Sequence, residues 1–417
     1  MSNDNSQAAV AGSMDGAEAW KGQKASGLRQ AINLKSVSTG VVAALFGCSG
    51  PALIVIRAAE AGQLSSGQTV AWLFAIYFLG GLVSIGMALR YRQPICGAYS
   101  IPGAAILIAA LGGLQFSEAV GAFIMSGAIV FILGVTGVIA KLMRWLPMPI
   151  VMAMIAGALI RFGIGAAEAI GADPIMAGAA ALVFFLVARF VKAVPPVLAA
   201  GVVGFAVAMA MGLVKPAEVN IDFVMPVFTA PSFTLDAFFA ISVPLAALVI
   251  GAENAQATGV LMAEGYKPPV NAMTITSGIG GMIAGALGGH NANIAGPMTA
   301  ICSSPQAGDD PALRYGSTLV NGVLFCLFGL FAGGAVPFIL ALPKSLIVVV
   351  AGLAMIGVLL AAFQQAFNKS LGYQIGAFVA LVVAMSKLSL LGISAPFWAL
   401  VAGVVVSTLL KEGEPTR

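Results

Sequence analysis

Glu253 is the acidic residue with the most unusual surroundings in this sequence. It follows the apolar run from Ala240 to Ala252, and further apolar residues separate it from Glu264. A carboxyl group is costly to bury at such a place, so it usually faces a cavity or a partner and takes part in function. We therefore predict that Glu253 binds a proton or a ligand; the alternative is a carboxyl group held only by structural hydrogen bonds. Gln256, three residues further along a helix, would share its face.

A second polar cluster interrupts the apolar segment of residues 285–302. It contains His290, Asn291 and Asn293, preceded by two glycines. The asparagines either satisfy the backbone of an interrupted helix or contact a ligand. His290, the only histidine in the chain, could relay protons near neutral pH or brace the backbone.

This cluster and the segment of residues 94–107 both predict helices that begin inside the membrane. Pro297 and Pro102 each suit the first turn of a new helix, and the residues before them favour extended chain. Non-helical backbone survives within a bilayer only when it is buried in protein or lines a wet cavity. Two such interrupted segments indicate the binding site of a transporter. In the earlier one, Tyr99 could contact a ligand or simply pack, and Ser100 could cap the helix.

The composition places these segments in a membrane. The chain is 60% hydrophobic and 9% charged, with a mean hydropathy of +1.01, whereas soluble domains carry about 25% charged residues. The four cysteines are far apart in apolar surroundings, so we expect neither a zinc site nor a disulfide framework. A single histidine and the lack of a phosphate loop leave little from which to build an enzyme, and no cofactor is predicted.

We count fourteen hydrophobic segments, several of them too short to cross a bilayer as regular helix. Fourteen crossings with a cytoplasmic amino terminus leave fifteen lysines and arginines on the cytoplasmic side and three on the other, which is the bias expected of membrane proteins. Both termini are then cytoplasmic. Residues 1–36 are polar and lack the apolar core of a secretory signal, so they are predicted to form a cytoplasmic tail.

The polar connection at residues 215–234 divides the segments seven and seven. Because seven is odd, residues 37–214 and residues 235–410 must run in opposite directions through the membrane. Their interruptions also correspond in order, at residues 47–51 and 99–103 in the first half and at residues 251–256 and 291–297 in the second. We therefore predict an all-α polytopic membrane protein of 14 transmembrane segments, built as a 7+7 inverted repeat, with short extended stretches and half-helices in segments 3 and 10.

Several motifs together suggest a family. They are Tyr99-Ser-Ile-Pro-Gly-Ala-Ala105, Gly251-Ala-Glu-Asn-Ala-Gln256, Gly288-Gly-His-Asn-Ala-Asn-Ile-Ala-Gly-Pro-Met-Thr-Ala-Ile-Cys302 and Asp310-Pro-Ala-Leu-Arg-Tyr315. From about residue 35 to the carboxyl terminus, the chain resembles the benzoate–proton symporters, the BenE family. The resemblance implies the fold shared with nucleobase permeases and with sulfate and bicarbonate carriers. In that fold, segments 1–4 and 8–11 form a core domain, and segments 5–7 and 12–14 form a gate domain.

The same resemblance implies a substrate held between segments 3 and 10, beside segment 8. Glu253 matches the segment-eight acid of nucleobase permeases and is the predicted proton-coupling residue, with His290 as a second candidate. Those permeases usually carry another acid in segment 10, where this chain has asparagines, and a second carboxylate would repel an anion. The predicted substrate-binding residues are Cys48, Ser49, Tyr99, Ser100, Gly103, Gln256, Asn291, Asn293, Ile294, Ala295 and Gly296.

The function implied is secondary active import of benzoate or a related aromatic carboxylate by proton symport across a bacterial inner membrane. The carboxylate would dock at the starts of the two half-helices, as anions do at helix amino termini, and the core would move against the gate to give alternating access. A proton-coupled nucleobase permease and a passive anion channel are the alternatives. The expected partners are the substrate, the proton and the lipid bilayer, with no nucleic acid and with a homodimer left open.

Overall fold

The computed structural model describes residues 27–48, 50–191, 194, 196–214, 227–334, 342–386, 388–390 and 393–413. This part of the chain is mostly helical. Five helical stretches in it are long and apolar enough to cross a bilayer, namely Ser66–Tyr91, Phe116–Thr136, Met148–Ala172, Leu235–Ala263 and Pro311–Leu330. The chain is thus a helical membrane protein, as its composition predicted.

Short strands interrupt the helices in both halves of the chain. The first half has α1 (Leu28–Ala31), α2 (Leu34–Cys48), α3 (Gly50–Ala61), α4 (Ser66–Tyr91), β1 (Gly97–Ala98), α5 (Ile101–Ala110), α6 (Phe116–Thr136), α7 (Val138–Trp145), α8 (Met148–Ala172), α9 (Pro174–Phe190) and α10 (Pro196–Ala210). The second half has α11 (Leu235–Ala263), α12 (Val270–Ala286), β2 (Asn293–Ile294), α13 (Gly296–Ser303), α14 (Tyr315–Leu330), α15 (Lys344–Ala354), α16 (Ile356–Ala366), α17 (Gln374–Met385), β3 (Ser389–Leu390), β4 (Ile393–Ser394) and α18 (Ala395–Leu409).

Helix α11 is helical throughout, but its turns widen to π-helix at Phe238–Ser242 and at Val249–Asn254. The prediction of a break at residues 251–256 is therefore wrong, because a wider turn keeps the backbone hydrogen-bonded there. Pro244 lacks an N–H group and in a regular helix would clash with the carbonyl four residues earlier, which accounts for the first wide turn. The second wide turn carries Glu253, and π-turns are frequent at functional sites.

Strands β1 and β2 pair antiparallel at the centre of the fold. Gly97 lies opposite Ile294 and Ala98 opposite Asn293, and the Ala295 N–H group donates to the Cys96 carbonyl at 2.9 Å. Each strand runs directly into a short helix, α5 or α13, whose first turn contains a proline. The extended stretches and the helix starts that the sequence predicted around Pro102 and Pro297 are thus confirmed.

Close packing of α4 against β1 requires glycine on both sides. A Cβ atom on Gly97 would lie 2.5 Å from the Gly80 carbonyl oxygen and 2.5 Å from the Val83 Cβ atom. A Cβ atom on Gly80 would lie 2.8 Å from the Ala98 Cα atom. Backbone atoms and a Cβ atom cannot rotate away, so the strand reaches its place only because both side chains are absent.

The helices pack in two groups. In one, α6 lies along α12, and α14 lies along both α4 and α2; in the other, α8 contacts α15, α16, α17 and α18, and α9 lies along α10. Contacts of α2 with α10 and α15, and of α11 with α8 and α16, join the two groups.

Arg314 holds the far end of α13. Its Nη1 atom donates to the Ser303 carbonyl at 2.7 Å and pairs with Glu264 at 2.7 Å, and its Nε atom donates to the Gly308 carbonyl at 2.8 Å. A positive charge next to the last carbonyls of a helix is favourable because of the helix dipole. The buried ion pair therefore ties the ends of α11 and α13 to the start of α14.

Replacing Gly80 by alanine should destabilise the protein, because the new methyl group meets the backbone of β1. Overpacking of this kind costs about 1–3 kcal/mol, so the midpoint of thermal unfolding in detergent should fall. Gly86, on the same helix, is the matched control because nothing lies within 4 Å of its added Cβ atom. Gly86→Ala should leave the midpoint unchanged or raise it, since alanine is the better helix former. Equal effects of the two substitutions would contradict the packing described here.

Candidate functional site

A cavity of about 310 Å³ lies between the two helix groups, at the small end of the range of about 300–1,000 Å³ for small-molecule sites. One wall comes from α5, α11 and α13 and consists of Ile101, Pro102, Ala105, Ile106, Leu248, Ala252, Glu253, Gln256 and Pro297. The other comes from α8, from α17 and the residues after it, and from the start of α18, and consists of Ala158, Arg161, Ala384, Ser386, Leu388, Ala395 and Pro396. Most of these side chains are aliphatic, so the polar groups are few and specific.

The Glu253 carboxylate joins the starts of both half-helices. Its Oε2 atom accepts a hydrogen bond from the Gly296 N–H group at 3.2 Å, at the start of α13. It also interacts with the Ile101 N–H group and the Ser100 hydroxyl, at the start of α5. Free N–H groups at helix starts favour negative charge. The carboxylate of Glu253 therefore occupies the place where the sequence predicted that the substrate anion would dock.

Gln256 lies beside Glu253 and over the start of α13. A Cβ atom on residue 296 would lie 2.4 Å from the Gln256 Oε1 atom, so only Gly296 allows this approach. The Gln256 Nε2 group is buried and has no hydrogen-bond partner in the part of the chain that the structure describes. The Gln256 side chain is part of the cavity wall, so a ligand that hydrogen-bonds to this donor displaces no described protein partner.

Ser100 and Asn291 satisfy the backbone at the start of α5. The Ser100 N–H group donates to the Asn291 Oδ1 atom at 3.0 Å, and the Ser100 Oγ atom accepts from the Gly103 N–H group at 3.1 Å. The predicted cap by Ser100 is therefore present. Asn293 donates to the Ile294 carbonyl at 2.7 Å, so both asparagines contact backbone, as one of their two predicted roles required.

His290 lies behind this backbone in an aromatic pocket. The Trp72 indole N–H group donates to the His290 Nδ1 atom at 2.9 Å, and the His290 Nε2 atom lies 3.0 Å from the Ser100 carbonyl oxygen. Because Nδ1 accepts, the proton of the neutral ring sits on Nε2 and is donated to Ser100. Both ring nitrogens are thus engaged in bracing the start of α5.

Tyr99 is not among the residues that line the cavity. Its hydroxyl lies 2.7 Å from that of Tyr77, and both hydroxyls lie within hydrogen-bonding distance of the Gly47 carbonyl, at 3.1 and 2.6 Å. The two phenols thus cover a carbonyl near the end of α2. Cys48 is buried beside this group, and Ser49 lies outside the described residues.

The structure brings some predicted residues to the cavity and leaves others behind it. Glu253 and Gln256 line it, and Ser100 and Gly296 contact them. A Cβ atom on Gly103 would lie 2.5 Å from a Leu245 methyl group, so Gly103 serves the packing of α5 against α11. The backbone N–H groups of Ile294 and Ala295 are used by Ser277 and by the strand ladder.

Two contributors were not among the predicted site residues. Arg161 lines the cavity opposite Glu253, and its charge within an apolar segment was a visible sign. The Ser277 hydroxyl accepts from the Ile294 N–H group at 3.0 Å and donates to the Asn254 Oδ1 atom at 3.0 Å. No sequence signal pointed to Ser277, because a serine within a helix is unremarkable until its neighbour is known.

Similarity to known structures shows the class of fold. The structure described as "The overall structure of SLC26A9" matches with a TM-score of 0.53, at 14% sequence identity, over 90% of this chain. The match spans 65% of that longer chain. The protein is therefore a helical membrane protein with an SLC26-like fold.

Sequence comparison then identifies the family. The profile of the BenE family, "Benzoate membrane transport protein", matches residues 30–409, and the chain belongs to this family of membrane transporters, which are not enzymes. It is 33% identical to "Inner membrane protein YdcO" of Escherichia coli (strain K12), over 89% of this chain and 95% of that protein. It is 26% identical to "Benzoate membrane transport protein" of Acinetobacter baylyi (strain ATCC 33305 / BD413 / ADP1), over 92% and 97%.

The hydrogen bonds of His290 predict a fixed tautomer. Because the chain has one histidine, its ring nitrogens can be assigned in ¹⁵N NMR spectra without mutagenesis. The spectrum of the protein in nanodiscs should show a neutral ring with the proton on Nε2, and adding benzoate should not change it. A tautomer or charge that switched with benzoate would contradict the bracing role and favour a relay.

Proposed function

We propose that the protein imports benzoate or a related aromatic carboxylate together with a proton. Membership of the BenE family and a relative named "Benzoate membrane transport protein" support this substrate class. The observation that carries the proton-coupled mechanism is the position of Glu253. Its carboxylate occupies the starts of both half-helices and lines the cavity as well.

Coupling would arise from competition for these N–H groups. While Glu253 is ionised, its carboxylate accepts from the Gly296 N–H group, and a second anion there would meet both repulsion and occupied donors. Protonation removes the charge and weakens the hold of Glu253 on the helix starts. The substrate carboxylate can then accept from the same donors, so proton and anion load together.

The cavity wall supports an aromatic carboxylate as the ligand. The Gln256 Nε2 group is a free donor next to the helix starts, and the ring would pack against Ile101, Pro102, Pro297 and Pro396. The other predicted residues would act from behind: Tyr99, Cys48, Asn291, Asn293, Ile294 and Ala295 would hold the interrupted backbone in place, and His290 would brace it.

The alternating-access architecture is part of the proposal. Fourteen segments in a 7+7 inverted repeat would place α2–α7 and α11–α14 in the core and α8–α10 and α15–α18 in the gate. The antiparallel pairing of β1 with β2 supports oppositely oriented halves, and the separate packing of the two helix groups supports core and gate as distinct bodies. The name of the Escherichia coli relative supports the inner membrane, and the charge bias supports cytoplasmic termini.

Glu253→Gln should separate binding from coupling. Glutamine keeps an oxygen for the helix N–H groups but carries no exchangeable charge, so the variant should bind benzoate with an affinity that does not vary with pH. In proteoliposomes it should exchange benzoate across the membrane but no longer accumulate it under an inward proton gradient. Glu168→Gln is the matched control, because Glu168 is exposed on α8 and does not line the cavity. Proton-driven accumulation by Glu253→Gln at the wild-type level would refute the role.

Competition between ligands should separate this function from that of a nucleobase permease. Unlabelled benzoate should reduce uptake of labelled benzoate with saturation, and the same concentrations of uracil or xanthine should not. The site offers the guanidinium group of Arg161 and helix N–H groups, which suit an anion, and its described residues lack the second acid that nucleobase permeases usually carry. Effective competition by uracil would favour the permease. Uptake that never saturates would favour a passive channel.

A further inference from the structure

Arg161 is the second charged residue in the wall of the cavity. It lies within α8, a helix of 25 residues of which only Arg161 and Glu168 carry a charge. Of the described residues that line the cavity, Arg161 and Glu253 are the two with a charged side chain. A charge placed within an apolar helix of a membrane protein is expensive and is normally kept for function.

The guanidinium group of Arg161 has unused donors. In the part of the chain that the structure describes, it forms no ion pair within 4 Å, and its recorded neighbour is the Phe162 ring, 5.5 Å away. Arg314 is different, since Glu264 and two carbonyls hold it. An arginine carries five N–H donors in a planar fork that fits a carboxylate. The side chain is exposed rather than covered by protein, so these donors are accessible.

Arg161 and Glu253 belong to different helix groups. Arg161 is on α8, which packs with α15–α18, whereas Glu253 is on α11 beside α5 and α13. The two charges interact across the cavity without forming an ion pair. A ligand lying between them therefore contacts both groups of helices at once.

We infer that Arg161 binds the carboxylate of the transported acid from the gate side and so makes the site select anions over neutral analogues. This inference rests on the proposed function, because it names a binding residue for that substrate. The carboxylate would lie at the helix starts beside the Gln256 amide, with the guanidinium group of Arg161 facing it from the other wall and its ring against the proline and aliphatic side chains.

Counting charges shows what Arg161 adds. Among the residues that the structure describes, the wall of the empty cavity carries one positive charge, on Arg161, and one negative charge, on ionised Glu253, and these two charges sum to zero. Loading one monoanion and one proton leaves Arg161 positive, the ligand negative and Glu253 neutral, and the sum is again zero. Charge is costly to move through a low-dielectric region, so this balance favours one proton per monoanion. Without Arg161, the loaded cavity would carry a net negative charge.

Arg161→Gln should weaken the binding of benzoate to the full-length protein but spare benzamide, which has the same shape and no charge. Removing one charge-assisted interaction should raise the Kd for benzoate by about 10- to 100-fold, measured by calorimetry in detergent. The Kd of Arg161→Lys for benzoate should lie between those of the wild type and of Arg161→Gln, because lysine keeps the charge but loses the planar fork. Arg189→Gln is the matched control, since Arg189 also lies 5.5 Å from the ring of the next residue but does not line the cavity.

A second measurement needs no variant. Phenylglyoxal modifies accessible arginines, and mass spectrometry of the treated wild-type protein should show that benzoate protects Arg161 and leaves Arg189 reactive. Wild-type affinity for benzoate in Arg161→Gln, equal losses of benzoate and benzamide, or no protection of Arg161 would each overturn the assignment. If the wild-type protein bound no benzoate at all, the proposed function would fail and the assignment with it. Binding by the wild type together with an unchanged Arg161→Gln would remove only the role of Arg161.

Discussion

The whole central region depends on one constraint: a backbone that leaves the helix within a membrane protein must still find a partner for each buried N–H and C=O group. Here the partners come from the other interrupted segment and from a few side chains. The ladder of β1 and β2 supplies some of these partners. The Ser84 hydroxyl accepts a hydrogen bond from the Gly97 N–H group at 2.8 Å, and the Thr299 hydroxyl accepts one from the Cys96 N–H group at 3.1 Å. Asn291 and Ser277 accept two more hydrogen bonds, from the N–H groups of Ser100 and Ile294 respectively. Such residues cannot be exchanged for apolar ones without leaving a buried polar group unpaired, which costs about 1–3 kcal/mol each.

The same requirement shapes the candidate binding site. A helix that begins in the middle of the fold has N–H groups in its first turn with no partner in the helix, and at the starts of α5 and α13 these groups face one cavity. Glu253 satisfies some of them from α11. The groups that complete the fold in the empty protein are thus the groups that the proposed substrate would use, which links occupancy of the site to the protonation of one side chain.

The sequence predicted the interruptions well because proline and glycine act locally. Pro102 and Pro297 each fix the start of a helix, and no distant contact is needed to see this. Glu253 was equally visible, because a lone acid in an apolar run has few explanations. The wide turn at Val249–Asn254 is interpreted from the sequence as a break, since the hydrogen bonds of a π-helix span only one residue more than those of an α-helix and leave no compositional sign.

Other features of the site depend on contacts between distant parts of the chain and could not be predicted. Tyr99 was a candidate ligand contact, yet Tyr77 and the Gly47 carbonyl, both far away in sequence, hold its hydroxyl. The bracing role of His290 is recognised from the contacts of its two ring nitrogens with Trp72 and with the Ser100 carbonyl, both distant in sequence. For Arg161 the charge was evident, but which side of α8 faces the cavity follows from packing against α17 and α18.

The two half-helices are alike at their starts and unlike at their far ends. Helix α13 is fastened at both ends, by the strand ladder at one and by Arg314 at the other. Helix α5 ends in a turn at Leu111, capped by its own backbone, with no basic residue in its last turn. The inverted resemblance of the two segments therefore stops at their starts: the last turn of α13 is tied to two other helices through Arg314, whereas the last turn of α5 is completed by its own backbone.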